Sequence, residues 1–168
     1  MIKKDTVKKI KLSQGKFSIV DSRDYEHLSQ WKWCFHHTGY AVRVEKIKKP
    51  CGKRTGQMIF LHREVSKTPK GLYTDHINGD KLDNRKENLR HATKKQSSRN
   101  TAPHKKSSSR YKGVVFNKAI QKWQAQIRIN GKQKYLGVFT CEKEAALVYN
   151  KYAKKHFKSF AKLNDVGA

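Results

Sequence analysis

The chain has 168 residues, with 39 Lys or Arg against 13 Asp or Glu and a formal net charge of +26. That length holds one domain or a few small modules, and 36% hydrophobic residues fill only small cores. So large a cationic excess repels itself unless a polyanion neutralises it, which makes nucleic acid the expected partner and an anionic membrane surface the rival.

Residues 1–70 read as an N-terminal β-rich region. Phe17-Ser18-Ile19-Val20, Tyr40-Ala41-Val42-Arg43-Val44 and Met58-Ile59-Phe60-Leu61 alternate as strands, divided by turns such as Lys49-Pro50-Cys51-Gly52. Trp31, Trp33 and Phe35 fall at alternate positions and are expected to share one strand face as core. Cys34, Cys51 and Cys141 are isolated and form no C-x-x-C pair, so reduced thiols are expected and a four-cysteine structural zinc is not.

Residues 71–100 carry the densest polar motif. Leu72–His76 reads as a short strand, Asn78-Gly79 as a tight turn and Leu89–Ala92 as a second strand, with Thr93 capping a helix through about Asn100. Residues 101–109 have linker composition, with a Pro, a Ser run and no apolar periodicity.

Residues 110–168 read as a second domain. Tyr111–Val115, Trp123–Ile129 and Lys134–Phe139 are expected as strands, the last two joined by a hairpin at Asn130-Gly131. Thr140 caps a helix with Glu142 and Glu144 in its first turn. Ala145, Val148, Tyr149, Tyr152 and Ala153 fall at helical spacing, toward the sheet. The fold class is α+β. No apolar run approaches the ~18 residues of a membrane span and no signal-peptide core follows the start, so a soluble cytoplasmic protein is expected.

No Asp or Glu occurs between Glu87 and Glu142, while Lys and Arg recur throughout. An acid-free tract of that length is expected to track phosphates. Alternation puts Trp123, Ala125, Ile127 and Ile129 toward the helix and Gln124, Gln126, Arg128 and Asn130 on the opposite face. Gln pairs bidentately with adenine and Arg with guanine, so that face has base-reading chemistry. Lys112, Gln133 and Tyr135 join it from the flanking strands, whereas Lys118, Lys122, Lys132 and Lys134 suit phosphates.

Chemistry concentrates in Asp75-His76-Ile77-Asn78-Gly79-Asp80, followed by Leu82-Asp83-Asn84-Arg85 and Asn88-Leu89-Arg90. His76 is the candidate general base, since an imidazole takes a proton near neutral pH. Asp75 offers a hard carboxylate oxygen suited to Mg2+ or Mn2+. Neighbours on a regular strand point to opposite faces, so this pair requires a twist or a strand end. Asn88 either fixes the ring of His76 or ties down the loop between the strands.

That string resembles the HNH nuclease motif of phage and intron homing endonucleases, a ββα-metal fold that cuts the DNA backbone. Val20-Asp21, Trp31-Lys32-Trp33, Gly39-Tyr40 and Leu61-His62-Arg63 extend the resemblance upstream. His62 is either near the site or structural, and His91 is a weaker contributor. The family's second metal ligand, an Asn or His on the following helix, falls at Ser97 here, with Asn100 one turn on as the substitute.

A second resemblance lies in Tyr111-Lys112-Gly113-Val114, Lys122–Ile127, Tyr135–Phe139, Glu144-Ala145-Ala146 and Phe160–Asn164. In this order they are similar to the DNA-binding domain of plant ethylene-response factors, which implies a sheet lying in the major groove. The two resemblances together imply a site-specific, metal-dependent endonuclease of the homing type acting on double-stranded DNA in a bacterial or phage-infected cell. A monomer with one such site would nick. The rivals are a non-catalytic DNA-binding regulator derived from such a nuclease, which Ser97 favours, and an RNA-binding protein, which explains the charge alone.

Overall fold

A computed structural model describes residues 6–48, 50, 54–102 and 107–167. Cys51 and part of the expected turn around it, like residues 103–106 of the linker, lie outside the described residues. The chain divides into two compact units, Met1–Lys94 and Lys95–Ala168. Among the described residues, the first combines three small antiparallel sheets with a few helices and the second combines one such sheet with helices.

The first unit opens with the hairpin β1 (Val7–Lys11) and β2 (Phe17–Asp21), followed by helix α1 (Ser22–Ser29). A second sheet orders β3 (Cys34–Phe35), β4 (Ala41–Lys48) and β5 (Arg54–Phe60). Helix α2 (Leu61–Ser66) follows, ending at Lys67 in the left-handed region with φ 48°. The hairpin β6 (Tyr73–His76) and β7 (Leu89–Ala92) closes the unit.

One core joins these pieces: Ile10, Leu12, Val20, Leu28, Trp33, Ala41, Leu61 and Val65, with Leu82 and Leu89 packed against it. The last two belong to the motif hairpin, so the motif folds onto the preceding region instead of standing apart. Trp33 is buried and donates its Nε1–H to the Leu28 carbonyl at 2.8 Å. Trp31 and Phe35 are only partly buried, because the strand expected through all three aromatic residues is just Cys34–Phe35. Trp31 instead lies under the Arg43 guanidinium, 4.5 Å from its ring centre.

In the second unit a short helix, α3 (Lys94–Ser97), continues as a 3-10 turn over Ser98–Asn100. Strands β8 (Val114–Asn117), β9 (Lys122–Ile129) and β10 (Lys132–Phe139) form an antiparallel sheet with β9 central. Asn130 (φ 51°) and Gly131 (φ 82°) make the β9–β10 turn in the left-handed region that such two-residue loops require. Helix α4 (Glu142–Phe157) buries Ala145, Ala146, Tyr149, Ala153 and Phe157, while Val148 and Tyr152 are half-buried. At Gly113 the helix approaches closely: a Cβ there would stand 2.1 Å from the Tyr149 ring and 2.6 Å from the Gln126 carbonyl.

The compact units part between Lys94 and Lys95, at the start of α3, whereas sequence composition puts a linker in the Pro- and Ser-containing segment. Side chains explain the difference. Lys112 Nζ donates to the carbonyls of Arg99 (2.6 Å) and Thr101 (2.7 Å). Arg99 sits over the Phe157 ring at 4.7 Å and Lys95 donates to Asn130 Oδ1.

Candidate active site

Asp75 and His76 end β6, opposite Arg90 and Leu89. Both are 5% exposed, so the strand end lets neighbouring side chains share one buried region. Arg90 lies directly across from Asp75, and its Nε and Nη2 both reach Asp75 Oδ2, at 2.8 and 2.7 Å.

The loop between β6 and β7 braces itself. Asn78 and Asn88 exchange reciprocal bonds: the Asn78 backbone N–H donates to Asn88 Oδ1, and Asn88 Nδ2 donates to Asn78 Oδ1, each at 3.0 Å. Asn88 Nδ2 also donates to the Asp83 carbonyl at 2.8 Å. Of the two roles open to Asn88 in the sequence, these contacts match tying down the loop. Asp83 accepts from Asn78 Nδ2 and from Arg85, whose guanidinium holds the Asp83 carboxyl below the usual range. The loop is stitched to β2 by backbone bonds from Ile19 to Leu82 and from Asn84 to Ile19, both 2.8 Å.

Asn84 is the residue that sequence reasoning passed over. It is 1% exposed, and its Oδ1 lies 2.9 Å from His76 Nε2. The neighbouring bonds set the direction. Ser18 Oγ–H donates to the Leu82 carbonyl at 3.0 Å, so the hydroxyl oxygen accepts from Asn84 Nδ2 at 2.8 Å. With its amide nitrogen thus committed, Asn84 presents an oxygen to the imidazole, and His76 Nε2 must be the donor. The neutral ring therefore carries its proton on Nε2, leaving Nδ1 as the basic nitrogen. A motif asparagine gave the only sequence signal; the buried serine on β2 that orients it gave none.

Burial pushes the His76 pKa down; the Asn84 bond and the carboxylates of Asp75, Asp80 and Asp83 push back. His62, on α2, is 8% exposed and packs edge-on to His76 with ring centres 5.3 Å apart. Burial first, then His76 and Arg63, lower its pKa to about 3. Tyr40 lies beside both rings, 4.9 Å from His62 and 6.0 Å from His76. Its phenol pKa is raised by burial and then by Asp75. Lys81 covers the Tyr40 ring at 4.6 Å and donates to the Thr38 carbonyl. His91 is exposed and donates to the Ser66 carbonyl at 2.9 Å, a tie to the end of α2.

Among the described residues, no three His, Cys, Asp or Glu side chains group to hold a metal ion. Asp75 offers the kind of hard carboxylate oxygen that an Mg2+-class ion takes, such an ion drawing its other ligands largely from water and phosphate. Ser97, at the end of α3, and Asn100, at the end of the 3-10 turn, are described with the second unit.

Strand register assigns the expected DNA-facing residues of the second unit. Gln124, Gln126 and Arg128 stand opposite Val138, Tyr135 and Gln133, so these six share the face turned from α4. Tyr135 is 53% exposed, and Gln133 donates to Gln126 Oε1. Lys132 and Lys134 pair with Ile129 and Ile127 and so belong to the helix side, where Lys134 lies 5.2 Å from the Tyr152 ring centre. Lys118 and Lys122 are exposed. Lys112 is not displayed on this face: it is half-buried, bound to the carbonyls of Arg99 and Thr101, and burial followed by Lys162 lowers its pKa to about 8.

A family model described as HNH endonuclease matches residues 62–99, which takes in all but the first residue of α2, the hairpin and α3. The chain is also 31% identical over 153 residues to the uncharacterized HNH endonuclease L560 of Acanthamoeba polyphaga mimivirus, covering 91% of this chain and 77% of that protein. This chain belongs to the HNH endonuclease family. Protein 3.8 of Escherichia phage T7 is 38% identical over 65 residues, 39% of this chain and 54% of that protein. HNH nucleases generally use divalent metal ions and act on DNA. Among the described residues, no helix is long and apolar enough to cross a membrane.

Proposed function

We propose that this protein is a site-specific, metal-dependent DNA endonuclease of the homing type that nicks one strand. The observation that carries the reading is the Asn84–His76 bond, which commits the imidazole to one tautomer beside Asp75. His76 Nδ1 takes a proton from the attacking water, the water oxygen bonds to phosphorus, and the bond to the 3′ oxygen breaks. Solvent protonates the departing oxygen. Asn84 keeps the imidazolium oriented through Nε2–H, and Arg90 holds the Asp75 carboxylate in place.

Asp75 would hold the Mg2+ or Mn2+, and sequence spacing assigns a second oxygen donor to Ser97 or Asn100. When bound, such an ion supplies charge stabilisation at the phosphate and the leaving oxygen. The sheet of the second unit, with its resemblance to plant ethylene-response-factor domains, reads the major groove. Gln124, Gln126, Arg128, Gln133 and Tyr135 face bases, and the surrounding lysines meet phosphates.

Supercoiled plasmid bearing the target, incubated with the protein and Mg2+ or Mn2+, tests the reading. Open-circular product that disappears with chelator is expected. Intact plasmid under both metals, with tight DNA binding, would instead favour a non-catalytic regulator.

A further inference from the structure

His62 is buried, yet its Nδ1 has no hydrogen-bond partner. An unpaired polar atom in such a place costs stability, so packing alone would favour a hydrocarbon side chain. Three rings surround it: Tyr40 at 4.9 Å, Phe60 at 5.3 Å and the candidate base His76 at 5.3 Å, the last nearly perpendicular at 82°. His62 belongs to α2, whose Leu61 and Val65 are anchored in the core of the first unit. The His62 ring thus stands on a fixed element and abuts His76, while Asn84 holds the same ring at Nε2.

We infer that His62 is a positioning residue of the nuclease centre, a neutral imidazole that fixes the ring plane of His76 and is retained at the expense of fold stability. Asn84 sets the tautomer and the direction of the Nε2–H bond. The edge-to-face contact with His62 bears on the plane of the same ring. Tyr40 touches both histidines and completes the seat. This inference rests on the proposed nuclease function, in which His76 is the base.

The test compares full-length wild type with His62→Leu and His62→Phe, which remove the unpaired nitrogen with and without an aromatic ring. Both variants are expected to bind target DNA as wild type does and to melt at or above the wild-type temperature. At saturating DNA their single-turnover nicking should fall by about 10- to 100-fold, the scale of a displaced reacting group. The 15N resonances of His76, assigned with His76→Gln, should shift in both variants. Wild-type nicking with unmoved His76 resonances would overturn the inference, as would a lowered melting temperature with loss of DNA binding in both variants, the mark of a structural histidine. Failure of wild type to nick would count against the nuclease reading alone, since the melting and resonance comparisons still report on positioning.

Discussion

Asn84 accepts the Nε2 proton of His76 at 2.9 Å, and Ser18 on β2 fixes the amide that does so. The basic nitrogen of the candidate nuclease is therefore selected through a bond that joins Asn84 to a residue sixty-six positions away in sequence. Asn84→Leu removes the acceptor while keeping the volume filled. Its cleavage should slow about 10- to 100-fold with DNA affinity unchanged. The lost amide bonds should cost about 1–3 kcal/mol in urea denaturation. A wild-type rate would show that the tautomer is set by something else.

Asn88 should act through the loop. Asn88→Asp keeps an oxygen for the Asn78 N–H but loses both donated bonds, to Asn78 Oδ1 and the Asp83 carbonyl. Urea denaturation should record a loss of about 1–3 kcal/mol, and amide exchange should quicken across residues 77–88. Undiminished protection there would mean that the loop holds without the amide pair.

The family motif was legible because residue type and order carry it, in Asp75, His76 and the Asn-rich loop. Periodicity likewise exposed the β9–β10 hairpin and the buried stripe of α4. Long-range contacts were not legible. The Ser18–Asn84 bond, the burial of His62 and the stitching of the loop to β2 join residues whose local patterns are unremarkable. Helices α1 and α2 are short and dominated by polar residues, so neither produces a clear apolar stripe. Nor were the bonds from Lys112 to the carbonyls of Arg99 and Thr101 legible, since a lysine beside a strand looks like a surface cation.

The second unit offers a contrast between faces. Gln126→Ala or Arg128→Ala should relax sequence preference, each lost bidentate pair costing about 1–3 kcal/mol of discrimination. Lys122→Ala should weaken all sequences alike and shallow the salt slope by about one unit. Lys112→Met should leave preference unchanged and instead speed amide exchange over residues 95–101. Binding titrations on target and random duplexes at several salt concentrations separate these classes. Equal effects of the Gln126 and Lys122 variants on both duplexes would refute the base-reading face.

Acid should destabilise the first unit through His62, whose pKa falls from the ordinary 6.5 to about 3 on folding. Between those values the unfolded chain binds a proton that the folded chain refuses, so stability declines as pH drops below 6.5. His76 is shifted the same way and adds to the trend. Urea midpoints between about pH 7 and pH 5, above the ordinary carboxylate range, should fall for wild type and fall less for His62→Leu. Parallel slopes would show that His62 does not titrate with unfolding.

The central claim is that His76 deprotonates the attacking water. Single-turnover nicking of a target duplex by His76→Ala, with Mg2+ and protein in excess, tests it most directly when binding is measured on the same samples. The account predicts a loss of about 10²–10⁴-fold in rate with an unchanged binding curve, because affinity resides in the lysine and arginine surface. A His76→Ala protein that nicks at the wild-type rate would contradict it.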